Sequence, residues 1–558
     1  MQRVGLPVLF AAATLVTVGS AFGATTRVGP YGTTMLDGRK VFPIVLAKGP
    51  PRGGFTPTGG DAVSEVVGAG VNVLKVGPAD TAWSAADLDD ALLWNKDAAA
   101  HDAYTWINLA TLSKATSTPG DTKAQRLKQV VTALTTDEYA DAIALWKGAD
   151  EPFWTKTPAE QLRYAYCLGT SRGDSDWCAD ESPLDSAHLW VTIQAPKGEP
   201  TDLAPYSAVT DIHGVDHYPV TYGNPDPKLH EIGTWTSTIA SVTPSQAVWT
   251  TLQVCASGSD DNFGNFVVPK REQERYMIYD AILNGARSLA FYGGNINRCW
   301  YEQDAALEWN WTFWDGVLED LVREINALSP IAPALVNPET TQVLTTSHPT
   351  TTQAISRVGA TKDDLWVIVA SHADGPHAVT ISGLPSWAAT GTVYTEGRSV
   401  AATGGSVTDD FARWAVHVYH FRNEPPPPPP APPPAPQPVP PPPPPPARPS
   451  EPAAVAPAPY VLVGRGLSAS GPARAGRAFT LRFRVDTLTG PAETASVRCT
   501  ARVGRAALRP VAKRWTRGLA LCTWRLPRTA RGKLLHVSIR VDSRGRTLTR
   551  SLTRRVSR

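Results

Sequence analysis

Short apolar runs alternate with amphipathic stretches along the first 300 or so residues. The runs are Val41–Ala47, Val71–Val76, Tyr104–Ala110, Ile143–Trp146, Leu189–Ile193, Ile212–Val215, Val248–Val254 and Ser288–Tyr292. Their lengths, four to seven residues, suit buried strands. Between them, Asp61–Val67, Ala85–Ala99, Lys123–Ala140, Pro158–Leu168 and Arg271–Asn284 carry helical spacing of apolar residues. Eight strands separated by helices over about 290 residues predict an α/β fold, a parallel (β/α)8 (TIM) barrel. A doubly wound open sheet would announce itself by a G-x-G-x-x-G loop after its first strand, and Lys48-Gly49-Pro50-Pro51-Arg52-Gly53-Gly54 lacks that spacing. Ahead of the first run, Asp37-Gly38 between Thr34–Leu36 and Arg39–Val41 predicts a hairpin.

The period changes downstream. A helix over Phe313–Leu328 closes the barrel, and strict alternation follows in Gln353–Val358, Leu365–Ser371, Ala378–Ile381, Gly391–Tyr394 and Trp414–Phe421, the pattern of a small antiparallel β-sandwich. Residues 424–459 are nearly all Pro and Ala, a composition that forms a stiff polyproline linker rather than a core. Alternation returns in Thr480–Val485 and Leu535–Val541, predicting a second β-sandwich. At the start, Arg3, the apolar stretch Val4–Val18 and small residues near Ala21–Ala24 fit a cleaved export signal. The expected organisation is therefore a signal peptide at 1–24, a barrel at 25–333 and a small β-sandwich at 334–423. A Pro-rich linker at 424–459 and a basic β-sandwich at 460–558 complete it.

Charge divides the same way. The formal net charge is only +2, yet the stretch from Tyr460 onward holds 23 of the 53 Lys and Arg and 3 of the 51 Asp and Glu. The 459 residues before it carry about −18 and the tail about +20. Arg far exceeds Lys in the tail, which suits bidentate contact with carboxylate or phosphate. With no helix-turn-helix, finger or RNA-binding signature, the expected partner is an anionic cell-wall polymer rather than nucleic acid. Six cysteines fall into three local pairs, Cys167 with Cys178, Cys255 with Cys299 and Cys499 with Cys522, expected as disulfides. Bridging Cys255 and Cys299 would stabilise the loops after the last two barrel strands by about 2–4 kcal/mol. No CxxC spacing calls for a metal, and no cofactor is implied. No later segment is long and apolar enough for a transmembrane span, so a secreted, extracellular protein, free or held at the cell envelope, is expected, as a monomer.

Chemistry concentrates where the fourth run ends, at Ala149-Asp150-Glu151-Pro152-Phe153-Trp154. Paired carboxyls can divide the work of general acid and charge stabiliser, and aromatic rings can stack on pyranose faces. In a TIM barrel the reactive groups lie at the C-terminal ends of the strands. Those ends supply Lys48, Lys75, Asp150, Glu151, Gln194, Asp216, His217, Tyr218, Gln253, Tyr292 and Asn295. Trp154, Trp300, Trp309, Trp311 and Trp314 fall on the same face; Trp309 and Trp314 are expected to anchor the last helix.

These segments resemble secreted (β/α)8 glycoside hydrolases. Ala149-Asp150-Glu151-Pro152 is similar to their acid-bearing strand four, Asp211–Pro219 to their D-x-x-x-x-D-x-Y-P stretch, and Trp249–Gln253 to their W-x-x-x-Q strand end. The region behind the barrel, ending Ala415-Val416-His417-Val418-Tyr419, resembles the small sandwich that accompanies such barrels. The resemblance implies a carbohydrate substrate, with Glu151 as general acid and Asp150 and Asp216 as the other catalytic carboxyls. It implies Tyr218, Gln253, Lys48, Lys75, His217, Trp154, Tyr292, Asn295 and Trp300 as substrate-binding residues. Gln253 departs from the pattern, because retaining members carry a nucleophilic Glu there, about 5 Å from the strand-four acid. Three routes remain open: substrate assistance oriented by Asp150, as in N-acetylhexosaminidases; Asp216 as the second carboxylate; or glycan binding without cleavage.

Overall fold

The computed structural model describes residues 25–423 and 462–557, except 79–81, 171–177, 179–182, 225–226, 258–265, 338–341, 470–472, 488–489, 492–493, 505, 517 and 545. The stretches read from sequence as an export signal and a proline linker lie outside the described residues. The chain divides into two compact units, residues 1–425 and 426–558.

Eight parallel strands close into a barrel in the first unit. They are β1 (Ile44–Leu46), β2 (Val73–Val76), β3 (Tyr104–Asn108), β4 (Ile143–Asp150), β5 (Leu189–Gln194), β6 (Ile212–Asp216), β7 (Ala247–Gln253) and β8 (Ser288–Tyr292), paired in sequence order with β8 joined to β1. Helices α1 (Ala62–Ala69), α2 (Ala85–Ala100), α3 (Thr122–Thr135), α4 (Ala159–Thr170), α5 (Glu231–Val242) and α6 (Arg271–Leu283) intervene. Asp61, Ser84 and Asp121 cap the first three through their side chains. Between β5 and β6 there is only a turn of helix, Pro200–Leu203, and a 3-10 segment, Ala204–Val209.

Inward positions alternate with outward ones along every strand. Val45, Val73, Leu145, Val191, Ile193 and Ile212 fill the interior with Trp106 and Trp249, whose rings cross edge to face 5.6 Å apart. The hairpin Thr34–Leu36/Arg39–Val41 turns through Asp37 and Gly38, both at positive φ (50° and 74°), as a type I′ turn requires. Leu36 closes the N-terminal end of the interior, and Thr26 Oγ1 accepts from the Leu189 N–H (2.8 Å) while donating to the Ala144 carbonyl (2.9 Å).

Instead of one helix over Phe313–Leu328, the chain runs through Trp311–Phe313, a π-helical turn at Trp314–Leu318, and α7 (Glu319–Ile325). Trp309, Trp311 and Trp314 are fully buried, with Trp309 donating to the Lys48 carbonyl (2.9 Å), so all three anchor this segment rather than offer a sugar platform.

The small domain stacks a five-stranded sheet (Thr352–Val358, Asp364–Ser371, Val416–Arg422, Thr390–Val393, Arg398–Ala401) on a three-stranded one (Thr345–Thr346, His377–Ser382, Ser406–Phe411). It is fastened to the barrel by a buried pair. The Arg275 guanidinium of α6 forks onto the Glu324 carboxylate of α7 (2.8–3.1 Å) and donates to the Val416 carbonyl of the sandwich (2.6 Å), while the Tyr279 hydroxyl donates to the same carboxylate (2.7 Å) and the Tyr394 hydroxyl to the Glu324 backbone carbonyl (3.0 Å).

Also on α6, Glu274 is fully buried and both carboxyl oxygens lack a hydrogen bond among the described residues, so burial holds its acid form well above the ordinary carboxyl range. An acid raised by folding withdraws stability as pH climbs past the unfolded value of about 4.3. Glu274→Met is expected to stabilise the protein by about 1–3 kcal/mol, more at pH 8 than at pH 5. Urea titrations at the two pH values read this directly; equal destabilisation at both would contradict it.

The second unit is also a two-sheet sandwich. One sheet contains Leu462–Ala469, Ala478–Thr487, Leu519–Arg525 and Ala512–Thr516; the other contains Ala506–Leu508, Ser496–Val503, Leu534–Ser543 and Arg546–Arg555. Phe479, Leu481, Trp524, Val537 and Ile539 are among its core, and Cys499–Cys522 joins the two sheets. Cys167–Cys178 and Cys255–Cys299 form as well. No helix among the described residues is long and apolar enough to cross a membrane.

Candidate functional site at the barrel mouth

Two residues beyond the interior plug, the inward positions of the even strands become polar: Lys75 after Val73, Lys147 after Leu145, Asp216 after Gly214, and Tyr292 after Ala290. The fourth strand is the irregular one. Lys147 pairs with Val191 but Asp150 with Ile193, so β4 carries one extra residue, a bulge. Gly148 sits in it against the Trp190 indole; a Cβ there would lie 1.8 Å from Trp190 Nε1. The bulge turns Asp150 toward the mouth and delivers Glu151 at φ 43°, a left-handed conformation costly for glutamate, of order 1–3 kcal/mol, and held by the Glu151 N–H donating to the Ile193 carbonyl (2.7 Å).

The three carboxyls differ in environment. Lys147, whose side chain is 3% exposed, donates to Asp150 and, with Lys75 and Lys48, holds its carboxyl below the ordinary range against the effect of burial. Glu151 is pushed up, first by burial and then by the Asp150 charge, and its side chain is hydrogen-bonded to Asp216. Asp216 is pushed up further, by burial and by Glu151 and Asp150. The Tyr218 hydroxyl donates to Asp216 Oδ2 (3.0 Å), while buried Oδ1 receives no N–H or hydroxyl donor among the described residues. Two carboxyls in contact, with too few donors, are satisfied by one proton shared between them, and they titrate as a pair. Tyr218 in turn stacks on Tyr292, ring centroids 5.5 Å apart.

Of the residues singled out from sequence, Asp150, Glu151, Asp216, Tyr218, Tyr292, Lys48 and Lys75 are thus brought together. Lys147 was not among them; its signal is the inward position two residues after Leu145. The others have contacts of their own. The Gln253 amide accepts from the Val220 N–H (3.1 Å) and donates to the Val220 and Val267 carbonyls (2.8 and 3.3 Å), which engages it with backbone. His217 contacts Glu231 at the start of α5 (3.0 Å). Trp154 stands half-exposed under the Lys197 ammonium, 4.1 Å from its ring centroid. Trp300, half-buried, donates its indole N–H to the Gly294 carbonyl (3.0 Å), and Asn295 is exposed beside it. The Cys255–Cys299 bridge ties the loops that carry these last residues.

A cavity of about 920 Å³ lies elsewhere: Thr25, Arg27, Ala187, Ser207 and Gln246 are among the residues that line it at the N-terminal end of the barrel. It lacks the convergent, displaced carboxyls of the mouth, and chemistry in this fold resides at the C-terminal face. Among the described residues no group of three or more His, Cys, Asp or Glu is disposed to hold a metal ion.

No protein-family model and no curated protein matches the sequence. Solved structures that superpose on it include an α-amylase from Anoxybacillus (12% identity, 68% of this chain and 98% of that one, TM-score 0.42). An α-amylase from Geobacillus thermoleovorans complexed with acarbose gives 10%, 69%, 99% and 0.41, and a GH42 β-galactosidase from G. stearothermophilus gives 8%, 64%, 95% and 0.37. At such loose superposition the functional reading rests on the residues of this barrel.

Proposed function

We propose that the protein is a secreted glycoside hydrolase in which Glu151 is the general acid. The observation that carries this reading is that burial and neighbouring charge raise Glu151 and Asp216 together, beside an Asp150 that Lys147 holds low. A glycosidase needs one carboxyl that keeps a proton near neutral pH and another that stays charged next to the developing oxocarbenium ion. Glu151, at the strand end, donates its proton to the glycosidic oxygen as the C–O bond breaks. Asp216, positioned by Tyr218, raises the affinity of the pair for that proton. Asp150, kept ionised by Lys147, faces the cation or orients a 2-acetamido group that attacks from within the substrate. Water then completes hydrolysis and the proton returns to the pair. Asp216 is itself pushed up whereas Asp150 is held low, which favours Asp150 over Asp216 as the charge opposite the acid. A matching test is the pH profile: activity should fall on the alkaline side as the shared proton is lost, and Asp216→Asn should move that limb. A profile unchanged by that substitution would count against the pair.

A second reading, glycan binding without cleavage, is favoured by the end of β7, where Gln253 replaces a carboxylate and holds backbone.

The basic sandwich supports attachment to an anionic envelope polymer. Along Ser496–Val503 alternate residues are buried, leaving Arg498, Thr500 and Arg502 on the outer face, and Arg498 lies directly across from Arg540. Like charges facing one another cost stability, so this row is better suited to a polyanion than to the fold. Full-length protein is expected to bind an anionic cell-wall preparation at low salt and release it as salt rises, and Arg498→Ser with Arg502→Ser to weaken binding. Retention indifferent to ionic strength would contradict it.

A further inference from the structure

Lys75 takes no direct part in the hydrolytic scheme. It projects inward from β2, its ammonium 5.7 Å from the centre of the Trp106 ring, and it makes no hydrogen bond or ion pair among the described residues. Lys75 is partly buried, and lysines withdrawn from solvent are ordinarily paired. The charged groups that face it are Lys147 and Asp150 of β4, Lys48 after β1 and Asp216 of β6. Asp150 is already taken by Lys147, and Asp216 shares its proton with Glu151. Three lysines therefore converge on one side of the mouth with one ionised carboxylate among them. Burial and the neighbouring Lys147 bring the Lys75 amine down to about 7, so in the empty site it is only partly charged at neutral pH. The face of Trp106 is the contact Lys75 makes, and no carboxylate is dedicated to it.

We propose that the barrel mouth takes a sugar bearing a negative charge, a uronate or a sulfate ester, whose anionic group is seated on Lys75 between Lys48 and Lys147. This rests on the hydrolase reading for the site's position, and it names the substrate class. An anion at Lys75 restores the amine's preference for its charged form. Binding should then draw protons from solution, about half a proton per site at pH 7, where the free amine is half titrated.

The experiment is calorimetry on full-length Glu151→Gln protein, so that binding is read without turnover. The probes are trimers of glucuronate, galacturonate and mannuronate, the methyl ester of each, and a sulfated galactose trimer, at pH 7 in two buffers of different ionisation enthalpy. At least one acid should bind about tenfold or more tighter than its methyl ester, with proton uptake. Tight binding of the sulfated trimer in its place, with the same uptake, supports the subsite and assigns it to sulfate. Adding Lys75→Met should abolish both preference and uptake. Lys75→Arg, charged at every accessible pH, should keep the preference and lose the uptake, which covers the case in which the Met variant fails to fold. Equal binding of acid and ester, binding of the acid without uptake, a preference that survives Lys75→Met in folded protein, or no binding by any acidic probe would overturn the proposal. Wild-type cleavage of neutral sugars without an acid preference overturns it and leaves the hydrolase reading standing. Lys75-dependent binding of an acid that wild type never cleaves does the reverse.

Discussion

Glu151→Gln is expected to reduce glycoside turnover by about 10²–10⁴-fold while leaving the fold intact, because it removes the transferable proton and keeps the shape of the side chain. Asp216→Asn should lower activity too, and here the stability readout separates a working site from a merely buried one. Both carboxyls of the pair are raised by folding. Such groups bind protons more tightly in the folded chain, so their contribution to stability is present at low pH and is lost as pH rises above the unfolded carboxyl value of about 4. Removing one acid relieves that loss. Asp216→Asn should therefore be more stable than wild type above about pH 6 and less active at every pH, the exchange expected where residues are arranged for chemistry at the expense of stability. Thermal unfolding at pH 5 and 8 beside the activity assay checks it; a variant destabilised equally at both would show that Asp216 serves the fold.

The second large effect lies far from the mouth. Arg275→Ala leaves the Glu324 carboxylate, 4% exposed, without its bidentate partner, and removes the donor to the Val416 carbonyl. Breaking one side of a buried pair costs about 3–5 kcal/mol. Chemical denaturation should show that loss, and because Arg275 fastens the small sandwich to α6 and α7, the sandwich is expected to loosen first. Hydrogen exchange along Val416–Arg422 would report this before global unfolding. Loss below about 1 kcal/mol would mean the contact is replaced by water at little cost.

The barrel was legible because its strands are buried on both faces and are therefore short apolar runs; all eight appear within a few residues of where the pattern puts them. What escaped has physical causes. The apolar run Ile143–Trp146 stops at Lys147, yet β4 continues to Asp150, since the top interior layer of a barrel can be polar and a bulge absorbs Gly148. Helix α5 is rich in Thr and Ser, weak helix formers that side-chain bonds back to the preceding turn accommodate. Strand Arg398–Ala401 buries none of its residues fully and Ser406–Phe411 only two, Val407 and Phe411, so neither has a strong apolar face. At the site, strand ends identified the carboxyls and tyrosines but not side-chain direction: Gln253 and His217 stand at such ends and turn to the Val220 backbone and to Glu231. Conversely Lys147 was hidden inside the motif it serves.

The claim on which the rest depends is that the Glu151–Asp216 pair transfers a proton to a glycosidic bond. Release of reducing ends from a panel of neutral and acidic polysaccharides, by wild type and by Glu151→Gln side by side, tests it most directly. Release by wild type that falls at least about a hundredfold in the variant is the expected result. Undiminished release by folded Glu151→Gln, or none from any polysaccharide by wild type, would contradict it.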